Sequence, residues 1–452
     1  MQNLIRIKNV KIENVKNVKY GEFSTKIDFE NFNDSDVLGF YGQNGSGKTA
    51  VVDTFILLEK LMDLQSLNSI KKKLVNIDGN SASIKIEYIV KLNNNKEYYI
   101  DYEVEIGIDE EDNYFVQKEV IRYKENQEKK RYKHIVSYQD TKFLIRTQPL
   151  SKLNEKNRIS AQVAIKIAEK ERTSIVFQTD LISVYKKLLN NEEYMLLKCI
   201  VNEFRSGLHI IKNSDYGLLM ANILMPFNIH HESIKGTVPL NEYYESESLL
   251  LDDEMFDILK NDIFPSINVV LPAIIPGLTI DIRKTGEKTK KNGSTGIEFE
   301  LLSIRGETSL PLSEESEGIK KIVSMLSVLS AIFKEPNSCV VIDELDAGVF
   351  EYLLGELLKI VDESGKGQLI FTSHNLRIVE LLPIKNIWFT TTNPYNRYIQ
   401  LKYTNELSNN RDIYIRALQI KNQQEELFDK IDNFEIRRAF KKLARRGKLN
   451  EL

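Results

Sequence analysis

Eight consecutive residues, Gly42-Gln43-Asn44-Gly45-Ser46-Gly47-Lys48-Thr49, have the types and spacing that hold phosphate. The glycines let backbone N–H groups turn toward one centre and approach an anion closely. A helix opening here adds the partial positive charge of its N-terminus, with Ala50 in its first turn. Lys48 is placed to reach the β- and γ-phosphates of a nucleotide, and the Thr49 hydroxyl is a ligand for Mg²⁺. The competing reading, a glycine-rich turn that binds nothing, is disfavoured by the apolar strand before the loop and the helix after it.

Three further segments carry chemistry. Cys339-Val340-Val341-Ile342-Asp343-Glu344 is an apolar strand ending in two carboxylates. Beside a phosphate loop, Asp343 would orient Mg²⁺ or its water, and Glu344 would position and polarise an attacking water. His374 ends Leu369-Ile370-Phe371-Thr372-Ser373-His374, 31 residues past Asp343 and after one helix and one more apolar strand. That spacing puts it at the C-terminal end of a neighbouring parallel strand, where open α/β sheets hold ligands. Glu315-Ser316-Glu317-Gly318-Ile319-Lys320-Lys321 opens a helix 27 residues before Asp343. Taken alone, Ser316 is a helix N-cap.

These groups need elements to position them. Residues 4–12 and 22–30 alternate as strands around a turn near Asn17 and Gly21. Residues 37–41 predict a short buried strand leading into the loop. Val51, Phe55, Leu58 and Met62 then line one helix face. Residues 83–122 read as a strand meander with a turn at Asn93-Asn94-Asn95. Residues 150–260 carry amphipathic runs such as Ala161–Glu171 and Glu192–Phe204 and predict a helical insert. Strands resume from 264, and 278–282 pairs with 297–301. Helices are expected at 316–334, 349–362 and 410–425, and apolar strands at 339–343, 368–372 and 386–391. Arg437 to Lys448 holds seven basic residues, a possible nucleic-acid contact or a solvated terminal helix.

Composition bounds the function. The 452 residues carry 62 basic and 65 acidic side chains, so any nucleic-acid site is a local patch. Two cysteines, Cys199 and Cys339, exclude a disulfide scaffold and a zinc site built on several cysteines. The adjacent His230 and His231 point apart on a strand, which argues against a shared metal. The N-terminus has no apolar core of a signal peptide, and no run of 18 apolar residues spans a membrane. A cytoplasmic protein without membrane contact is expected.

The four motifs in this order resemble the ABC-type ATPase heads of the SMC and RecF group. Glu315–Lys321, Ile342-Asp343-Glu344-Leu345-Asp346 and Gln368–His374 bring the chain nearest, within that group, to the stand-alone AAA-type ATPases related to abortive-infection and other bacterial anti-phage proteins. The resemblance covers residues 1–60 and about 275–405. It implies an α/β fold: an ABC-type ATPase head with a mostly parallel core sheet, an antiparallel β subdomain and a helical insert. It implies ATP and Mg²⁺ as ligands, ATP hydrolysis, and a homodimer, or higher oligomer, with nucleotide sandwiched between its copies. Ser316 and Gly318 would touch the γ-phosphate held by the partner, Asp346 would cross the dimer, and His374 would sense the γ-phosphate. Lys16 falls where such heads often have a basic phosphate contact. Glu317 replaces the first signature glycine and should point away from phosphate or weaken closure. Gln117 and Gln178 are the candidates for the Q-loop glutamine.

The organisation expected is an N-terminal ATPase lobe over 1–150, the insert over 151–265, a C-terminal ATPase lobe over 266–405 and a basic helical tail over 406–452. The function expected is an ATP-gated switch in anti-phage defence, acting with a nuclease or toxin as effector. The alternative is a RecF-like DNA repair or recombination ATPase that binds DNA itself. A transporter subunit is disfavoured because Lys48 and Asp343 lie 295 positions apart. A fused Toprim nuclease is disfavoured because 78 residues follow His374.

Overall fold

The computed structural model describes residues 2–70, 73–220, 224–225, 238–239, 250–290, 293–401, 425–427 and 433–447. His230, His231 and all but the last residue of the helix expected at 410–425 lie outside these residues.

In chain order the strands are β1 (Leu4–Val15), β2 (Val18–Ser24), β3 (Asp36–Tyr41), β4 (Ser81–Lys91), β5 (Glu97–Ile108), β6 (Tyr114–Glu125), β7 (Lys133–Gln139), β8 (Lys142–Ile145) and β9 (Gln148–Pro149). There follow β10 (Leu208–Ile211), β11 (Leu224–Met225), β12 (Val238–Pro239), β13 (Leu278–Thr289), β14 (Thr295–Arg305), β15 (Thr308–Pro311), β16 (Cys339–Ile342), β17 (Gln368–Ser373), β18 (Ile387–Thr390) and β19 (Tyr398–Ile399). An antiparallel sheet has the order β2-β1-β4-β5-β6-β7-β8-β9. A second sheet has the order β10-β16-β17-β3-β18-β19 and is parallel except at β19. Strands β13, β14 and β15 form a smaller antiparallel sheet.

The middles of the parallel strands are apolar because both of their faces are covered, and buried polar residues such as Asp36, Gln368 and Thr372 stand toward their ends. Alternate residues feed two separate cores. Leu38, Phe40, Cys339, Val341 and Ile370 point into one, shared with the antiparallel sheet, the helix Lys48–Met62 and the helices between 155 and 204. Val37, Val340, Ile342, Leu369 and Phe371 point into the other, with the helices Phe264–Ile274, Glu317–Lys334 and Glu351–Ser364. Two amides join the large sheets where β2 no longer covers β1. Asn337 accepts from the Ile5 N–H at 2.9 Å, and Gln368 accepts from the Ile7 N–H at 2.8 Å and donates back to its carbonyl at 2.9 Å.

Three expectations differ from the structure. The second strand runs from 18 to 24 rather than 22 to 30, so Gly21 lies inside it. Beyond Ser24 the chain leaves the sheet, and Ile27 and Phe32 bury themselves in a small cluster with Ile89. The segment at 264 is a helix, Phe264–Ile274, with proline in its first turn and Phe264, Ile267 and Leu271 buried at helical spacing. It crosses the expected boundary at 265/266. The span 151–265 is not helical throughout, because β10 lies in it and pairs with β16 at the edge of the parallel sheet. Among the described residues, no helix is long and apolar enough to cross a membrane.

Candidate active site

The phosphate-type loop leaves the C-terminal end of β3, which β17 and β18 flank. At Gly42 a Cβ would fall 1.9 Å from the Thr390 hydroxyl on β18, so only glycine fits. Gly47 caps the helix Lys48–Met62 with φ 97°, a left-handed conformation that disfavours any side chain. The loop is braced from outside. The Tyr398 hydroxyl donates to the Gly47 carbonyl at 2.9 Å, the Asn17 amide donates to the Gly45 carbonyl, and Ser46 bonds Thr390. The buried Arg397 guanidinium donates to the carbonyls of Thr391 at 2.6 Å and Asn17 at 2.7 Å.

Lys48 points back over this loop. Its ammonium donates to the carbonyls of Gly42 and Gln43, both at 2.8 Å. Burial pushes its pKa down to about 8, against the pull of the Glu344, Asp343 and Asp346 carboxylates. Thr49 is exposed at the mouth, and Ala50 is buried behind it. Gln43 is half-buried, and Asn44 and Gly45 are exposed at the tip of the loop.

The two carboxylates follow β16 directly. Asp343 is buried, and burial raises its pKa, while a 2.7 Å bond from the Thr372 hydroxyl opposes that rise. The same hydroxyl accepts the Glu344 N–H at 2.8 Å. Glu344 has φ 48°, a left-handed conformation that costs a non-glycine residue about 1–3 kcal/mol. Its neighbours hold it there. Leu345 N–H donates to the Thr372 carbonyl at 3.0 Å, Ala347 N–H to the Glu344 carbonyl at 3.1 Å, and Lys321 Nζ to the same carbonyl at 3.2 Å.

His374 follows β17. Its backbone N–H donates to both oxygens of the Asp346 carboxylate at 3.3 Å. Burial, then the Lys48 charge, lowers its pKa; Asp346, Glu344 and a bond to the Gly42 carbonyl pull the other way. The four charged or ionisable groups Lys48, Asp343, Glu344 and His374 therefore share one end of the parallel sheet.

Ser316 caps the helix Glu317–Lys334, accepting from the Ile319 N–H at 3.4 Å, and is exposed. Glu317 is exposed. Gly318 packs against the Asp346-containing turn, where a Cβ would lie 3.1 Å from the Gly348 carbonyl. Lys16 forms an ion pair with Asp53, one turn into the helix after the loop, and both charges act on Asp343. Gln117 lies on β6 against Gly107, and Gln178 donates to Thr173 at 2.8 Å and to the Ser174 carbonyl at 2.9 Å.

The donors suit Mg²⁺, which takes one or two protein oxygens and keeps waters and phosphate oxygens for the rest. Asp343 and Thr49 are such oxygens, and among the described residues no group of three or more His, Cys, Asp or Glu side chains forms a richer cage. Thr372, Asp53, Thr390 and Lys321 belong to the site and were not singled out from the sequence. Strand register sets Thr372 beside Asp343, since Phe371 pairs with Ile342 across parallel strands.

No protein-family model matches the chain, and no curated protein matches it. Among solved structures, the chain is similar to the SMC head domain from Thermotoga maritima, at 13% identity over 88% of this chain and 100% of that one, with a TM-score of 0.38. It is similar to an Smc head domain with an extended coiled coil bound to the C-terminal domain of ScpA, derived from Pyrococcus furiosus, at 13% identity over 93% and 100%, with a TM-score of 0.38. It is also similar to the recombination mediator protein RecF with ATP, at 13% identity over 82% and 94%, with a TM-score of 0.36.

Proposed function

We propose that this chain is an ABC-type ATPase head that binds ATP with Mg²⁺, hydrolyses it, and closes as a homodimer around the nucleotide. The observation that carries this reading is the convergence of Lys48, Asp343, Glu344 and His374 at the C-terminal ends of the adjacent strands β3, β16 and β17. Lys48 exchanges the Gly42 and Gln43 carbonyls for phosphate oxygens. Asp343 and Thr49 hold Mg²⁺, which when bound neutralises charge on the phosphates. Glu344 takes a proton from the attacking water. His374, whose backbone N–H bonds the Asp346 carboxylate, would sense the γ-phosphate.

Self-association is supported by one surface. Ser316 and Glu317 are exposed beside the Asp346–Gly348 turn, and Phe350 and Tyr352 follow it with 71% and 55% of their surface exposed. Large aromatics on a rim of charged groups suit an interface. As a cap alone, Ser316→Ala costs about 1 kcal/mol of stability and leaves ATP-dependent association intact. As a phosphate contact in the partner's site, the mutant binds ATP and neither dimerises nor hydrolyses it. The second outcome is expected. A Ser316→Ala chain with full ATPase activity defeats the sandwich dimer. Mixing Ser316→Ala with Lys48→Ala chains is expected to restore part of the activity through one intact composite site.

The resemblance of Glu315–Lys321, Ile342–Asp346 and Gln368–His374 to the AAA-type ATPases of bacterial anti-phage systems is the support for an effector partner, a nuclease or toxin. The RecF-like alternative has one feature in its favour. The helix Asn433–Gly447 carries Arg437, Arg438, Lys441, Lys442, Arg445 and Arg446, and its described side chains from Phe434 to Leu443 are exposed. Truncation after Asn433 separates the two. A nucleic-acid grip predicts weaker binding and a flatter salt dependence, by about 0.9 in slope for each lost phosphate contact. Little change in DNA binding, with loss of a protein partner, is the result expected.

A further inference from the structure

Lys321 is fully buried, yet it lies only five positions after Ser316 on the helix Glu317–Lys334. Its ammonium donates to the Glu344 carbonyl at 3.2 Å and to the Ala347 carbonyl. These carbonyls bracket the turn that contains Glu344, Leu345 and Asp346. A buried cation is costly to keep, and neutral side chains of similar length pack more cheaply. Burial pushes the Lys321 pKa down to about 8, and the Asp346 and Glu344 carboxylates oppose it.

The turn needs such a brace. Glu344 is held at φ 48° against its own preference, and its side chain must meet a water within hydrogen-bonding reach. The other restraints on it, Thr372 and the Ala347 N–H, come from β17 and from the turn itself. Lys321 is the link from the helix whose first turn holds Ser316 and Gly318. Gly318 also packs on the Gly348 carbonyl, so helix and turn meet twice.

We propose that Lys321 is a positioning residue: it ties the first turns of the Ser316 helix to the backbone of Glu344 and Ala347, so that contact made at Ser316 and Gly318 sets the pose of Glu344. This rests on the proposed role of Glu344. A change in where that helix sits is transmitted through the two carbonyls to the carboxylate, and hydrolysis is thereby keyed to closure.

The test compares Lys321→Met, which keeps the stem and removes the donors, with Lys321→Gln, which keeps a shorter neutral donor. Misplacing a reacting group by about 1 Å can cost about a hundredfold, so kcat for Lys321→Met should fall at least about tenfold. ATP affinity should stay within about threefold, because the lysine touches no nucleotide atom in this scheme. Amide hydrogen exchange in the nucleotide-free protein should quicken at residues 344–348 and not elsewhere. Lys321→Gln should fall between. A lower melting temperature with native kcat and native exchange at 344–348 overturns the inference. If Lys321→Met does not fold, Lys321→Gln is read by the same two measurements, and native values for both overturn it. Glu344→Gln is assayed beside them. If that variant hydrolyses ATP at the native rate, the assignment of Glu344 fails; an inactive Glu344→Gln beside a fully active Lys321→Met defeats the Lys321 inference alone.

Discussion

Glu344→Gln is expected to bind ATP as the native chain does and to lose nearly all turnover. Glutamine keeps the volume and hydrogen-bonding reach of glutamate but cannot accept a proton from water. The pose of the residue is set by backbone atoms, namely its N–H on Thr372 and its carbonyl on Lys321 and Ala347, and these survive the change. Removing a general base costs about 10²–10⁴ in rate, or about 3–5 kcal/mol of barrier. Phosphate release under saturating ATP measures it. A rate within about twofold of native, equivalent to about 0.4 kcal/mol, removes Glu344 from the role of base. The same variant should accumulate dimers when ATP is added, visible by size-exclusion chromatography coupled to light scattering.

Lys48→Ala is expected to abolish tight ATP binding. Lys48 is buried, and its ammonium donates to the carbonyls of Gly42 and Gln43. Without the lysine, those carbonyl dipoles would face the phosphates with no cation between them. A hydrogen bond to a charged group contributes about 1.5–3 kcal/mol, so losing two weakens affinity by about two orders of magnitude or more. Titration with a fluorescent ATP analogue reads this directly. A folded variant with native affinity would remove the loop from nucleotide binding altogether. The fold itself should persist, because the bracing of the loop by Tyr398, Asn17, Ser46 and Thr390 does not pass through Lys48.

The two variants act on different elements for a reason visible in both sequence and structure. Lys48 and Thr49 sit in a loop whose conformation is local, dictated by glycines and by the helix that follows. The strand before it and the helix after it were legible to within a residue, since Asp36–Tyr41 and Lys48–Met62 match the segments expected at 37–41 and from Thr49 to Met62. Asp343, Glu344 and His374 were legible as the ends of apolar strands, and such strands announce themselves when both faces are buried. The β meander was legible by its alternation, with its turn at Asn93–Asn95.

Other parts depended on partners far away in the chain. Leu208–Ile211 is too short and too apolar to be told from a helix segment by periodicity, and only pairing with Cys339–Ile342 makes it a strand of the central sheet. Phe264–Ile274 could be helix or strand on its apolar content, and packing of Phe264, Ile267 and Leu271 into a core with the Glu317–Lys334 helix decided it. Thr372 became the shared partner of Asp343 and Glu344 through strand register, and Lys321 came to bond the carbonyls of Glu344 and Ala347 through helix packing. Which chemical groups are present, and which short elements carry them, could be read along the chain, because glycine geometry, capping and hydrophobic period act over a few residues. Which groups meet depended on packing, because the charge interaction of Lys48 with Asp343 and Glu344 and the bonds of Lys321 to Glu344 and of Gln368 to Ile7 join residues between 23 and 361 positions apart. No local rule encodes those meetings; they exist because burying two faces of one parallel sheet leaves the chain a single register in which its charged ends come together.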